Sequence, residues 1–157
     1  MRLRLYFSKD ASQEFLLKQI ILEELDRECV ECLIYAPTHA CDLQLLHSIQ
    51  SLLLWIKTYL GGNQPQILPP LHWPSSKFAL LTLKALASIP FGTTLTYQEL
   101  ATLIGSPQGA RAVGSALNKN PFPFLLPCHR IVSKRDGLGG FAFPRVLKTL
   151  LLAFERS

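Results

Sequence analysis

The sequence predicts an α+β chain in two parts. A small N-terminal α/β lobe spans residues 1–72, and a mainly helical C-terminal domain spans residues 73–157. Three observations predict it. Strand-like and helix-like patterns alternate before residue 62. Residues 63–75 then carry four prolines in thirteen positions, a linker composition, because proline resists both helix and central strand. Beyond the linker the apolar residues follow helical spacing, and two of the helices are separated by a short glycine-containing turn, the outline of a helix-turn-helix.

Composition bounds the rest. At 157 residues and 48% apolar, the chain can build one good core or two small lobes. Charged residues are 17%, which argues against disorder. No apolar run is long enough to span a bilayer. The start, Met1 to Phe7, meets Ser8-Lys9-Asp10 too soon for a signal peptide. The expected setting is intracellular, cytoplasmic or (in a eukaryote) nuclear, with Cys29, Cys32, Cys41 and Cys128 reduced. Net charge is +5 and unevenly spread. Residues 1–73 hold six Lys/Arg against eight Asp/Glu, whereas residues 74–157 hold ten against three. A basic second half suits a polyanionic partner.

In the first lobe, Arg2 to Phe7 alternates like a strand with one polar face. Ser12 is positioned to cap a helix over about 13–26. Cys29 to Tyr35 reads as a strand ended by Pro37, and a helix follows over about 42–60, with Leu43, Leu46, Ile49, Leu53, Ile56 and Leu60 at helical spacing. Gly61-Gly62 stops it. Cys29-x-x-Cys32 with His39-x-Cys41 imitates a zinc set. On a strand, however, Cys29 and Cys32 point to opposite faces and cannot share one ion, so no metal is expected.

In the second part a helix is expected over about 76–88, ended by Pro90 and Gly92. Thr96-Tyr97-Gln98-Glu99 matches a capping box for a helix of about 97–104 that stops at Gly105. Ser106-Pro107 then reads as cap and first residue of the next helix, about 107–119. There Ala110, Val113, Gly114 and Leu117 fall on an inner face and Arg111, Ser115 and Asn118 on an outer one. Such a small-residue helix suits either a nucleic-acid groove, with one intrusive arginine, or a tight helix–helix contact. A last helix is expected over about 144–155, with Val146, Leu147, Leu150, Leu151 and Phe154 apolar; for its terminal Glu155 a surface position is the default.

Between these helices, Phe122-Pro123-Phe124-Leu125-Leu126 leads into Pro127-Cys128-His129-Arg130. A thiol, an imidazole and a cation follow an apolar approach. Either Cys128 is a small buried hydrophobe, or it is a nucleophile activated by its neighbours. Ser133 to Gly140 is a basic, glycine-rich loop that matches no phosphate-loop spacing.

Taken in order, Ile89-Pro90-Phe91-Gly92-x-x-x-Thr96-Tyr97-x-Glu99-Leu100-Ala101, Ala110-Arg111-Ala112-Val113-Gly114-x-Ala116, Asn120-Pro121, Pro127-Cys128-His129-Arg130-Ile131-Val132 and Gly137-Leu138-Gly139-Gly140-Phe141 closely resemble the O6-alkylguanine-DNA alkyltransferases. The likeness covers about residues 73–155; the first lobe is only loosely similar to the family's ribonuclease-H-type N-terminal sheet. The resemblance implies a winged-helix-like helix-turn-helix. It also implies a single-use repair reaction, in which a guanine carrying an O6-alkyl group is flipped out of duplex DNA and its alkyl group passes to Cys128. O6-methylguanine is the implied main substrate, with O4-methylthymine a further candidate. Through the resemblance, His129 is the activating histidine, Glu155 the carboxylate orienting it, Asn120 the brace of the active-site turn, and Tyr97 the residue that helps extrude the nucleotide and donates to the base. Arg111 is implied as the finger filling the vacated stack. Ser115, Asn118 and Ala110 share its helix as DNA-facing positions, and Ile131, Phe141, Ala142 and Phe143 line the substrate pocket. No cofactor is implied, and a monomer working from the minor-groove side is.

Physical chemistry agrees with these roles. A stacked guanine O6 is reachable only after extrusion, whose cost stacking by an inserted arginine offsets in part. Alkyl transfer to sulfur requires a thiolate, a dry pocket and a proton for the departing guanine. One departure stands out: Phe143-Pro144 replace the Gly-Gly usual after the loop aromatic, which predicts a narrowed alkyl pocket. Three other readings compete. A lesion-binding alkyltransferase-like module lacks the acceptor thiol. A transcription factor needs more base-reading side chains than the 107–119 helix offers. A Cys-His hydrolase needs an oxyanion hole that the sequence does not display.

Overall fold

A computed structural model describes residues 2–9, 15–23, 31–35, 43–134 and 137–157. The chain divides into two compact units, Met1–Trp73 and Pro74–Ser157.

In the first unit, β1 (Arg2–Lys9) is the middle strand of a three-stranded sheet, between β2 (Phe15–Glu23) and β3 (Glu31–Tyr35). β2 is antiparallel to β1 and β3 parallel to it. The sequence predicted a helix over 13–26, and this is corrected: residues 15–23 are a strand. Their Leu- and Ile-rich run satisfies either period, and the ladder with β1 decides between them by pairing the backbone of the whole segment. The pairing passes from Tyr6↔Gln19 to Phe7↔Leu17, so Lys18 is the extra residue of a β-bulge. Ser12, Cys29, His39 and Cys41 lie outside the described residues.

Helix α1 (Leu43–Leu60) follows. Its buried stripe is Ser48, Leu52, Trp55 and Tyr59, whereas Leu43, Leu46, Leu53 and Leu60 are exposed. This corrects the predicted stripe by about one position. Leucines recur on several sides of the helix, so their spacing alone does not choose a face. The large rings decide, with Trp55 stacked on Tyr59 at 5.2 Å between centroids. Gly62, at φ +73°, ends the helix as a left-handed stop. Among the described residues no helix is long and apolar enough to cross a membrane.

The second unit packs α2 (Lys77–Ala87), α3 (Tyr97–Leu103) and α4 (Ala110–Asn118) on one another. Leu83, Leu86, Leu100, Val113 and Leu117 supply its core. The predicted capping box is formed: Thr96 Oγ1 accepts from the Glu99 amide at 3.2 Å, and Glu99 Oε2 accepts from the Thr96 amide at 2.6 Å. The α4 start is corrected. Ser106-Pro107-Gln108-Gly109 is a turn, closed by the Gly109 amide on the Ser106 carbonyl at 2.7 Å, and the helix begins at Ala110. Proline at the second position pre-sets this turn, which spends the carbonyl a helix start would have used. Two short strands, β4 (Leu95–Thr96) and β5 (Ile131–Val132), pair in parallel and hold the start of α3 beside the segment after the cysteine. Helix α5 (Arg145–Phe154) closes the unit.

Candidate active site

The site is built from the segment between α4 and β5. Asn120 makes an Asx turn: its Oδ1 accepts from the Phe122 amide at 3.0 Å, and its Nδ2 donates to the Leu126 carbonyl at 2.9 Å. The Leu126 carbonyl also accepts the Cys128 amide at 2.8 Å. One side chain thus grips both ends of a bend that includes Phe124 at φ +71°, a conformation costly for a bulky residue and held only because its surroundings over-determine it. The bend delivers Cys128-His129-Arg130 as one 3₁₀ turn, all three buried.

Cys128 is 7% exposed. Burial pushes its thiol above the ordinary range. The Asn120 side chain, the Lys148 charge and the amides of Cys128 and His129 all work the other way and favour the thiolate. Burial likewise lowers the basicity of His129, against the pull of Glu155, which raises it; the Arg130 and Lys148 charges add to the lowering. Both shifts favour the uncharged forms, a thiol beside a neutral imidazole.

Glu155 is buried at 4% exposure, which corrects the surface position that was the default for it. Oε1 accepts from His129 Nε2 at 2.7 Å and from Arg130 Nη2 at 2.9 Å, while Oε2 accepts from Arg130 Nε at 2.7 Å and from the Gly92 amide at 3.2 Å. A carboxylate forked by a guanidinium acts as acceptor only. His129 must then carry its proton on Nε2, which leaves the Nδ1 lone pair to take one. Sequence reasoning quoted Arg130 in the motif but assigned it no role.

The loop after β5 is pinned to the same group. Lys148 has no exposed surface, and its Nζ donates to the Ile131 carbonyl at 2.6 Å and the Leu138 carbonyl at 2.5 Å. Sequence reasoning missed it. A usable signal was the stripe Lys148, Leu152, Glu155 at i, i+4, i+7, which places two charges on one helix face. Tyr97, the first residue of α3, donates its hydroxyl to the Gly140 carbonyl at 2.8 Å. Gly139 at φ +73° leaves room for that ring: a Cβ there would lie 3.0 Å from Tyr97 Cε2. Phe141 and Phe143, both half-buried, meet edge to face at 5.4 Å; Ala142 is exposed.

The structure therefore gathers Cys128, His129, Glu155 and Asn120, with Tyr97, Ile131 and Phe141 around the adjoining loop. Arg111, Ser115 and Asn118 are solvent-exposed positions on α4, not members of the buried group, and Ala110 is half-buried at the helix start. Chemically, this is a sheltered soft nucleophile with an oriented proton acceptor.

The family model described as 6-O-methylguanine DNA methyltransferase, DNA binding domain, matches residues 77–157, just over half of the sequence. The chain belongs to that family. Its relatives include the inducible methylated-DNA–protein-cysteine methyltransferase of Bacillus subtilis, 37% identical over 101 residues, and the human methylated-DNA–protein-cysteine methyltransferase, 38% identical over 110. Each match takes in 64% of this chain but only 56% and 52% of the relative, little more than half its length. Among solved structures, Mycobacterium tuberculosis OGT in complex with DNA superposes with a TM-score of 0.71 at 25% identity, over 99% of this chain and 93% of that one. The O6-methylguanine DNA methyltransferase of Methanococcus jannaschii gives 0.62 at 25% identity, over 96% and 87%.

Proposed function

We propose that this family member repairs DNA by direct reversal, taking the alkyl group of O6-alkylguanine, chiefly O6-methylguanine, onto Cys128. O4-methylthymine is a further candidate base. The observation that carries the reading is the buried Cys128-His129 pair with its Glu155–Arg130 support. In the reaction, the Cys128 proton passes towards Nδ1 of His129 as sulfur attacks the methyl carbon. The bond from that carbon to O6 breaks, its electrons stay with guanine, and the proton held by His129 returns to guanine by way of solvent and the Tyr97 hydroxyl, which exchanges the Gly140 carbonyl for the base. The thioether formed is stable and, among the described residues, no second nucleophile is placed to clear it, so each molecule acts once.

Duplex DNA as partner is supported by the basic second unit and by the M. tuberculosis neighbour, which was solved with DNA. We assign α3–α4 as a winged-helix-like helix-turn-helix acting from the minor groove. Arg111 enters the stack, and Ser115, Asn118 and Ala110 approach the backbone. The N-terminal lobe is taken as ribonuclease-H-like on the strand order β2-β1-β3. The protein is proposed to act as an intracellular monomer without a cofactor. A lesion-binding module without repair is disfavoured because the thiol is present and sheltered. Intact-mass measurement after incubation with O6-methylguanine duplex tests the function: a gain of one methyl, mapped to Cys128, is expected, and an unchanged mass would refute it.

The Phe143 ring stands against Phe141 where the family usually has glycine, and Pro144 caps α5. Both reduce the room and the freedom of the loop. O6-methylguanine is therefore expected to react about tenfold or more faster than O6-benzylguanine, with Phe143→Gly narrowing the gap. Equal rates for the two bases in single-turnover assays would sink this prediction.

A further inference from the structure

The carboxylate that orients His129 is held from well outside the Pro127-Cys128-His129-Arg130 segment, at the turn Ile89–Gly92 between α2 and β4. The Ile89 carbonyl accepts Arg130 Nη1 at 2.6 Å. The Arg130 guanidinium lies 5.6 Å from the centre of the Phe91 ring, and Phe91 in turn meets Phe154 edge on at 6.2 Å. Gly92 donates its amide to Glu155 Oε2 at 3.2 Å. This one turn therefore contacts the carboxylate, its counter-ion and the helix end that carries it.

Gly92 meets two separate demands. Its φ is +75°, a region that glycine enters freely and asparagine tolerates. It also has no room for a side chain, because a Cβ built there would lie 2.6 Å from the Glu155 carbonyl oxygen, a backbone atom that cannot rotate aside. Gly62 is the useful contrast: its φ is +73°, yet a Cβ there meets nothing within 4 Å. Gly62 answers to conformation alone, Gly92 to conformation and to close approach.

We infer that Gly92 is a positioning residue for the acceptor chemistry: its amide, and its lack of a side chain, hold the Glu155 carboxylate against His129 Nε2. The inference rests on the alkyl-transfer reading proposed above. A side chain at 92 pushes the chain end outward. Glu155 then no longer sets the tautomer and direction of the imidazole, and the thiol must ionise without an aligned base. The rate of such an unassisted thiol climbs with pH in proportion to the thiolate fraction, about tenfold per pH unit below the thiol's own pKa.

The experiment is single-turnover methyl uptake from O6-methylguanine duplex, followed by intact mass across neutral to alkaline pH. Wild type, Gly92→Ala, Gly92→Asn, Glu155→Gln, the Gly92→Ala/Glu155→Gln double variant and Gly62→Asn are compared, each with its melting curve. Gly92→Ala and Gly92→Asn are expected to lose roughly tenfold to a hundredfold in rate near neutral pH and to regain much of it at alkaline pH. Gly62→Asn should match wild type. Adding Gly92→Ala to Glu155→Gln should cost no further rate, because both act through the same carboxylate. Wild-type rate and pH profile in Gly92→Ala would overturn the inference. So would a rate loss that persists unchanged in the Glu155→Gln background, the mark of a merely structural role. If Gly92→Ala does not fold, glycolic acid incorporated at position 92 removes the N–H without adding an atom. The same alkaline recovery and non-additivity are then expected, and wild-type behaviour overturns the inference. Wild type that takes up no methyl at all overturns the proposed function itself and the inference with it, whereas uptake by wild type with an unaffected Gly92→Ala rejects only the inference.

Discussion

Cys128→Ala is expected to take up no methyl group from O6-methylguanine duplex at any time or pH, while still binding the duplex. Cys128 is the free thiol of the buried group, and the Glu155 and Lys148 side chains beside it are already engaged. The Glu155 carboxylate accepts four hydrogen bonds, and the Lys148 amine is committed to two carbonyls. Binding survives because the proposed DNA-facing residues, Arg111, Ser115 and Asn118, lie on the exposed face of α4. Loss of the small buried sulfur costs on the order of 1 kcal/mol of stability, too little to unfold an ordinary domain. Intact mass and a gel-shift titration on the same preparation measure the two halves. Methyl uptake by the alanine variant would place the acceptor elsewhere; loss of binding together with uptake would mean that the cysteine supports the fold rather than the chemistry.

Glu155→Gln is expected to slow transfer by roughly a hundredfold or more near neutral pH, because general-base assistance of that size depends on an oriented imidazole. The same change should destabilise the protein by about 3–5 kcal/mol, since it leaves the buried Arg130 guanidinium without its counter-ion. The two effects separate in a second variant. Arg130→Met combined with Glu155→Gln removes the orphaned charge and should recover part of the stability but none of the rate. Thermal melts and single-turnover rates on the two proteins are the measurements. A Glu155→Gln protein that melts like wild type and reacts at the same rate would mean that the four hydrogen bonds on this carboxylate are incidental.

Much of this site was legible in the residues. Thr96 and Glu99 announced the start of α3, because a capping box is a purely local pattern and both partners sit within one turn. The Cys128-His129 pair was legible for the same reason of adjacency. Two helical features misled. On α5 the apolar positions are Val146, Leu147, Leu150, Leu151 and Phe154. Yet Val146 is 69% exposed and Leu150 61%, while the buried stripe runs through Lys148, Leu152 and Glu155. An apolar count rewards hydrocarbon wherever it lies, whereas here the helix faces a site in which carbonyls, a guanidinium and an imidazole need charged partners. On β2, a Leu- and Ile-rich segment fitted helix and strand alike, and the decision came from β1, a neighbour that local pattern does not see.

By itself, then, the sequence determined what depends on neighbours in the chain: the proline-rich stretch at residues 63–75, the capping-box start of α3 and the glycine stop after α1, the asymmetry of charge, and the order of motifs that carries the family likeness. Only the tertiary structure decided which distant groups meet. It joined Gly92, His129, Arg130 and Glu155 around one carboxylate, and it turned Lys148 onto the carbonyls of Ile131 and Leu138. The physical reason is that a buried charge is tolerable only where its partners converge. Convergence across more than sixty residues, as between Gly92 and Glu155, is a property of packing, which no local spacing encodes.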